Sequence, residues 1–396
     1  MKLHHNLLTA MSQALQAIFE QNGYADKVME RLLKSNPKWG ARDRAFLAEG
    51  TYEIVRNWRL YQEIAQSFNK KDYWTIIGIW LILQKEILPE WNEWKDLNIV
   101  KVKEQFTDFQ KVRKIKESVP DWLDELGQNE LQEKWEATLS ALNQQAKLVL
   151  RANTLKIEAK DLQSWFDSQG IVSKLLGEEG LEMSERQNIF KTEAFLQGAF
   201  EVQDFSSQQV APFLDVKQGM RVVDACAGAG GKTLHLAALM QDKGKIIALD
   251  TEEWKLNELK KRAKRAEASI IETRLIDNKK TIKRLYDTAD RLLLDVPCSG
   301  LGVIRRNPDA KWKLDLDFIE KVQTWQRDIL QSYSPICKKN GKIVYATCSI
   351  LPSENREQVQ YFLSKNPNFE LLKERQILPQ DFGFDGFYMA CLQRNS

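Results

Sequence analysis

Two cysteines stand where continuous apolar runs end: Cys298 in Leu292-Leu-Leu-Asp295-Val-Pro297-Cys298-Ser-Gly, and Cys348 in Ile343-Val-Tyr-Ala-Thr347-Cys348-Ser349. An apolar run bounded by turn residues is the pattern of a central strand in a parallel sheet, and open α/β sheets bind ligands at the carboxyl ends of such strands. A thiolate placed there is a nucleophile toward an electron-poor carbon. An ordinary cysteine, with a pKa of about 8.5, is little ionised at neutral pH, so either thiol needs local activation. Free cysteine is more often packing than chemistry, and Cys226, Cys337 and Cys391 are read that way. Cys298 and Cys348 are read as a chemical pair, because each follows a strand end and has a rigid or hydrogen-bonding neighbour, Pro297 or Thr347.

A second group of residues points to a cofactor. The apolar run ending at Asp224 leads into Ala225-Cys226-Ala227-Gly228-Ala229-Gly230-Gly231-Lys232-Thr233. Glycines at such a turn let the backbone approach a ligand closely. A phosphate-binding P-loop would need glycine at Cys226, and a dinucleotide fingerprint would need glycine or alanine at Thr233, so neither template fits. What remains is a glycine-rich first turn followed by Asp250 at the end of the next strand, an arrangement that grips ribose hydroxyls. Asp277 and Asp295 follow at later strand ends. A nucleoside without a pyrophosphate suits this pattern, which favours S-adenosylmethionine over a nicotinamide cofactor.

A methyl donor beside a thiolate indicates one reaction in particular. Carbon 5 of a pyrimidine becomes nucleophilic only after a thiolate adds to carbon 6. A second thiol can then assist release as a base, and an acid such as Asp295 can hydrogen-bond the base during attack. The target base must first leave its stack.

The elements that position these groups follow from the periodicity. From Leu3 to about Leu142 the spacing is helical, as in Leu7-Leu8-Met11-Leu15-Ile18-Phe19 and Phe46-Leu47-Thr51-Ile54-Val55-Trp58. Asn36-Pro37 and Leu88-Pro89 interrupt the pattern, and Ser118-Val-Pro120-Asp121-Trp122 reads as a helix start. Eight of the 12 tryptophans fall in this region, which favours a helical core over base stacking. Leu148–Thr154 reads as a strand, followed by a helix over Lys160–Gln169, and the stretch to Phe200 as a small α+β module. From Val202 onward, strands and helices alternate: Arg221–Asp224, Leu234–Met240, Lys245–Asp250 and Trp254–Ala268. This is the pattern of an α/β, doubly wound Rossmann-like domain.

Composition narrows the class. The 396 residues carry a net charge of +3 and 43% hydrophobic residues, as expected of a globular chain of two or three domains. Five scattered cysteines and three histidines (His4, His5, His235) offer neither a disulfide framework nor a zinc site, so no metal is expected. No apolar run approaches a membrane span and the start lacks the apolar core of a signal peptide, so a cytoplasmic location is expected. The basic clusters Lys255–Arg265 and Arg305–Lys313 read either as phosphate contacts or as solvated faces.

At these motifs the chain resembles the RsmB/NSUN (NOL1/NOP2/Sun) family of S-adenosylmethionine-dependent RNA cytosine-5 methyltransferases. The resemblance spans nearly the whole sequence. It runs through Arg151-Ala-Asn153-Thr154-Leu-Lys156, Val202-Gln203-Asp204-Phe-Ser206-Ser207-Gln208, the loop Cys226–Thr233, Asp250, Asp277 and Asp295-Val-Pro297-Cys298-Ser299-Gly300. It continues through Gly302-Val-Ile-Arg305-Arg306-Asn-Pro308-Asp309, Thr347-Cys348-Ser349, Pro352-Ser-Glu354-Asn355 and Asp385-Gly386-Phe387-Tyr388. Gly302–Asp309 with Lys311-Trp312 is most similar to the bacterial RsmB branch, which modifies small-subunit (16S) ribosomal RNA. Arg42-Asp43-Arg44-Ala-Phe-Leu-Ala-Glu49 resembles part of that branch's NusB-like domain.

The resemblance implies that Cys348 is the nucleophile and Cys298 the thiol that assists release, the reverse of DNA cytosine-5 methyltransferases, where the Pro-Cys thiol attacks. It implies that Cys226, Ala227, Gly228, Ala229, Gly230, Gly231 and Lys232, with Asp250, Asp277 and Asp295, bind S-adenosylmethionine. Asp250 would hold the ribose and Asp277 would lie near the adenine, with Lys232 also facing the reacting base. The family usually has Cys-Ala-Ala-Pro-Gly-Gly-Lys in the loop; Gly228 and Ala229 depart from it and remove stiffness. The implied organisation is an all-helical NusB-like RNA-binding domain (1–142), an RNA-recognition-like α+β module (143–200) and the methyltransferase domain (201–396). The expected partner is RNA, with no DNA and no membrane, and the protein is expected to act as a monomer. A transfer RNA cytosine-5 methyltransferase and a non-catalytic RNA-binding assembly factor are the alternatives.

Overall fold

The computed structural model describes residues 3–68 and 72–395. The chain divides into two compact units, one containing the residues up to Gln144 together with Ile304–Leu316, the other containing Gln145–Val303 and the chain from Asp317 onward.

The first unit is helical, with no strand among its described residues. Its longer helices are His5–Phe19, Ala25–Ser35, Ala41–Arg56, Trp58–Gln66, Tyr73–Leu83, Ile99–Phe109 and Asp121–Leu131. The helical spacing of Leu7, Leu8, Met11, Leu15 and Ile18 puts all five on one buried face, against Leu47, Ile54, Ile77 and Leu81. Asn36-Pro37 ends the second of these helices. The pattern read through Phe46 to Trp58 is split at Asn57, where one helix ends and the next begins. Trp58, Trp80, Trp94 and Trp135 are buried in this unit, as packing residues should be.

Ile304–Leu316 packs with this helical unit, although the sequence places it in the third domain. Its polar groups are held by helical-unit backbone: Lys311 Nζ donates to the Arg56 carbonyl (2.7 Å) and Asn143 Oδ1 (3.1 Å), and Trp312 Nε1 donates to the Val55 carbonyl (2.7 Å). Arg56 Nη2 donates to the Arg305 carbonyl in turn (3.0 Å). Such long-range pairing leaves no local signal in the sequence.

The second unit holds two sheets. β1 (Val149–Ala152), β2 (Ser173–Leu176), β3 (Gly180–Met183) and β4 (Phe200–Val202) form an antiparallel sheet in the order β2-β3-β1-β4. Helix Ala159–Ser168 buries Leu162 and Phe166 in the same apolar cluster as Leu150, Leu181 and Phe200. The larger sheet comprises β5 (Arg221–Asp224), β6 (Lys245–Asp250), β7 (Ile271–Leu275), β8 (Ala289–Asp295), β9 (Cys337–Thr347), β10 (Phe369–Ile377) and β11 (Phe387–Arg394), in the order β10-β11-β9-β8-β5-β6-β7. β5 to β9 run parallel, while β10 and β11 run antiparallel at one edge. β5 and β8 are Val/Leu-rich and buried, as parallel strands covered on both faces must be. This is the α/β Rossmann-like fold expected, preceded by the α+β module and a helical region.

The strand order reverses between β5 and β8, so the loops at their carboxyl ends diverge and leave a crevice. Asp224, Asp250, Asp295 and Thr347 are the last residues of β5, β6, β8 and β9 and therefore share that rim. The small sheet is fixed to the large one by buried polar contacts. Asn153 Nδ2 donates to the carbonyls of Gly198 and Ala266, both at 2.9 Å, and Glu201 on β4 binds Arg262 (2.9 Å) and Arg265 (2.5 Å) on helix Glu253–Ala266.

Candidate active site

The loop after β5 is tied to its neighbours by backbone bonds. Ala225 N donates to the Leu293 carbonyl of β8 (3.0 Å) and Ala227 N to the Leu249 carbonyl of β6 (2.8 Å). Gly228 N donates to Asp250 Oδ2 and Glu252 N to Asp250 Oδ1, each at 2.9 Å, so Asp250 sets both its own loop and the glycine turn. Gly230 caps helix Gly231–Leu239 at φ +89°, where a side chain would be strained and its Cβ would meet Leu259 Cγ at 2.5 Å. Ala229, which stands where the family usually has proline, has its carbonyl held by Arg262 Nη1 at 2.7 Å. Arg151 Nη1 donates to the Gly231 carbonyl at 2.8 Å. The small sheet and its helix partner thus brace the loop.

Lys232, on the first turn of that helix, reaches Asp295 at the end of β8, with Nζ and Oδ2 2.7 Å apart. Burial works to lower the ammonium pKa, but attraction to Asp295 and the hydrogen bond with it, helped by the nearby Cys348, raise it above its ordinary value. Lys232 therefore remains a cation. Cys298 and Cys348 come together across β8 and β9, Sγ to Sγ 3.3 Å. The hydrogen bond with Cys348, then burial and repulsion from Cys348, push the Cys298 thiol well above its ordinary range.

The turns carrying both thiols are closely packed. Gly302 N donates to the Cys348 carbonyl (2.9 Å) and Gly386 N to the Gly302 carbonyl (2.8 Å). A Cβ on Gly302 would lie 2.2 Å from the Gly386 oxygen and 2.7 Å from the Cys348 oxygen, so the two glycine motifs permit this approach.

A family model described as "16S rRNA methyltransferase RsmB/F" matches residues 211–393, and one described as "Methyltr_RsmF/B-like, ferredoxin-like domain" matches residues 119–189. The chain is 35% identical over 268 residues to a probable ribosomal RNA small subunit methyltransferase B of Bacillus subtilis, covering 63% of this chain and 60% of the relative. It is 32% identical to ribosomal RNA small subunit methyltransferase B of Vibrio vulnificus, covering 70% of this chain and 67% of that one.

The chain belongs to the RsmB/F methyltransferase family.

Among solved structures, the protein PH0851 superposes with a TM-score of 0.85 over 100% of both chains at 23% identity, a likeness of fold. S-adenosylmethionine is the methyl donor of the RsmB/F family, and the residues here fit it. The glycine turn leaves backbone free to approach a nucleoside, Asp250 sits at the end of β6, and Asp224 Oδ1 lies buried beneath the loop without a hydrogen-bonding partner. Asp277 stands apart from the cluster after β7, exposed, its carboxyl kept below the ordinary range by the Thr281 hydroxyl at 2.7 Å. Cys226 is pushed far up by burial, so its part in the loop is not ionic.

Several participants were not singled out for a role from sequence. Asp224, read only as a strand end, is 1% exposed and burial pushes its carboxyl up to about 7. Arg262 and Arg265, within a run read as phosphate-binding or solvated, instead bind Glu201. Arg305 and Lys311, in the second such run, are buried. Only the folded positions of their partners reveal these roles.

Proposed function

We propose that this protein methylates carbon 5 of a cytosine in small-subunit ribosomal RNA, with Cys348 as nucleophile and Cys298 assisting release. The 3.3 Å pairing of the two thiols beside the Lys232–Asp295 ion pair carries this reading. The similarity to proteins named ribosomal RNA small subunit methyltransferase B supports the RNA substrate.

The Lys232 ammonium lies near Cys348, where a cation can balance the negative charge of the attacking sulfur. The Cys348 sulfur adds to carbon 6 of the cytosine, and the electron pair displaced from the ring double bond makes carbon 5 nucleophilic. Asp295 binds Lys232 through Oδ2, and its other oxygen can hydrogen-bond the exocyclic amine. S-adenosylmethionine, when bound, supplies an electrophilic methyl group.

Release needs a base for the carbon 5 proton. The contacts with Cys348 that keep the Cys298 proton in place are relieved once the Cys348 sulfur is a neutral thioether. Cys298 then gives its proton to solvent and, as a thiolate, takes the carbon 5 proton, as the bond from carbon 6 to Cys348 breaks with its electrons returning to sulfur. The helical unit and the four-stranded module would bind the RNA and present an unstacked loop cytosine.

Bisulfite sequencing of ribosomal and transfer RNA from cells with and without this protein tests the reading. Loss of a methylcytosine from small-subunit ribosomal RNA is expected. Loss only from transfer RNA, or no loss, would overturn it.

A further inference from the structure

The motif Pro352-Ser353-Glu354-Asn355 has no part in the chemistry above, yet its glutamate is fully buried, with 0% exposure. No ion pair to Glu354 occurs among the described residues. Its carboxylate is instead satisfied by four donors. Oε1 accepts from Ser299 Oγ (2.5 Å) and Ser349 Oγ (2.6 Å), and Oε2 accepts from Ser299 N (2.8 Å) and Gln326 Nε2 (2.9 Å). Ser299 directly follows Cys298, and Ser349 directly follows Cys348. One carboxylate therefore grips the same position in both cysteine turns.

The remaining contacts close the arrangement. Gln326 Nε2 also donates to the Pro297 carbonyl (3.0 Å), just before Cys298. On the other side, Asn355 Nδ2 donates to the Ser349 carbonyl (3.0 Å), while the Thr347 hydroxyl donates to Asn355 Oδ1 (2.5 Å). The residues before and after each thiol are thus fixed by Glu354, its neighbour Asn355 or Gln326. A buried carboxylate costs stability unless fully hydrogen-bonded, and such networks hold their members rigidly.

We infer that Glu354 is a positioning residue that sets the separation of Cys298 and Cys348, and so the timing of release. The catalytic consequence rests on the thiol mechanism proposed above; the geometric part does not. By bridging the two serines, Glu354 keeps the releasing thiol against the attacking one. A loosened bridge lets the thiols drift apart while the cofactor loop, on other strands, is untouched.

The full chain, Glu354→Gln and Ser349→Ala are equilibrated in glutathione redox buffers, without RNA. Exchange oxidises the two protein thiols to one disulfide and reduces one glutathione disulfide to two glutathiones. Quantifying the Cys298–Cys348 disulfide by mass spectrometry gives the effective concentration of one thiol at the other. Glutamine can still accept from the Ser299 amide and Gln326 with its oxygen, but its amide then faces the Ser299 and Ser349 hydroxyls, and the charge that both hydroxyls donate to is lost. The equilibrium constant is expected to fall about tenfold, the scale of a lost charge-assisted hydrogen bond, with S-adenosylmethionine affinity unchanged. Ser349→Ala keeps the carboxylate and its other donors, should Glu354→Gln fail to fold, and is expected to give a smaller fall.

Equal constants in all three proteins overturn the inference, even if the variants melt earlier. A lowered constant in a protein whose parent methylates no RNA supports the bridge and overturns only the cytosine reading.

Discussion

Asp224→Asn isolates the electrostatics beneath the cofactor loop. Burial is the main cause that lifts this carboxyl from 3.8 to about 7, and the Thr233 hydroxyl (2.7 Å) offsets it only in part. A displacement of about three pH units corresponds to about 4 kcal/mol of preference for the neutral acid in the folded state. The sign follows from proton binding: between the two values the folded chain holds a proton that the unfolded chain has lost. The stability from this group is complete below the unfolded value and is lost as pH rises through about 7. About 2–3 kcal/mol of the loss falls between pH 5 and pH 8. Asparagine cannot ionise, and its carbonyl can still accept from Thr233. Its amide lacks a good acceptor, a constant cost of about 1–3 kcal/mol, so the difference between the two pH values is the quantity to compare. Urea unfolding of wild type and variant at pH 5 and pH 8 measures it. Wild type is expected to lose about 2–3 kcal/mol more than the variant; parallel pH dependences would refute the reasoning.

Asn153→Ala removes the amide that joins the Gly198 and Ala266 carbonyls, and should cost about 2–3 kcal/mol in unfolding experiments while leaving the thiol pair intact. Lys232→Met removes the cation beside Cys348 and leaves Asp295 without its partner at 2.7 Å. It should reduce kcat by about 100-fold or more, on the scale of losing a positioned charge in a reaction site, with iodoacetamide labelling of Cys348 slowed at neutral pH. Unchanged labelling would show that Lys232 does not favour the thiolate.

Much of the catalytic domain was legible because its signals are local. Arg221–Asp224 and Lys245–Asp250 were bounded correctly as strands, since apolar runs between turn residues describe buried parallel strands well. The helix read over Trp254–Ala268 runs Glu253–Ala266. The proximity of Cys298 and Cys348 was implied by two strand ends, but their 3.3 Å pairing depends on β8 and β9 being adjacent. Polar contacts between distant segments were illegible. Glu354 meets Ser299 across 55 residues, Arg262 meets Glu201 across 61, and Lys311 meets Arg56 across 255. Motif and charge pattern name these residues but no partner for them, and only the fold supplies the one that makes each structural.

The covalent step is tested most directly by incubating Cys298→Ala with small-subunit ribosomal RNA and S-adenosylmethionine, then running denaturing electrophoresis. A protein–RNA adduct that survives denaturation is expected, and it should vanish when Cys348→Ala is added to the same chain. An adduct that persists without Cys348, or full turnover by Cys348→Ala alone, would contradict the assignment of Cys348 as the nucleophile.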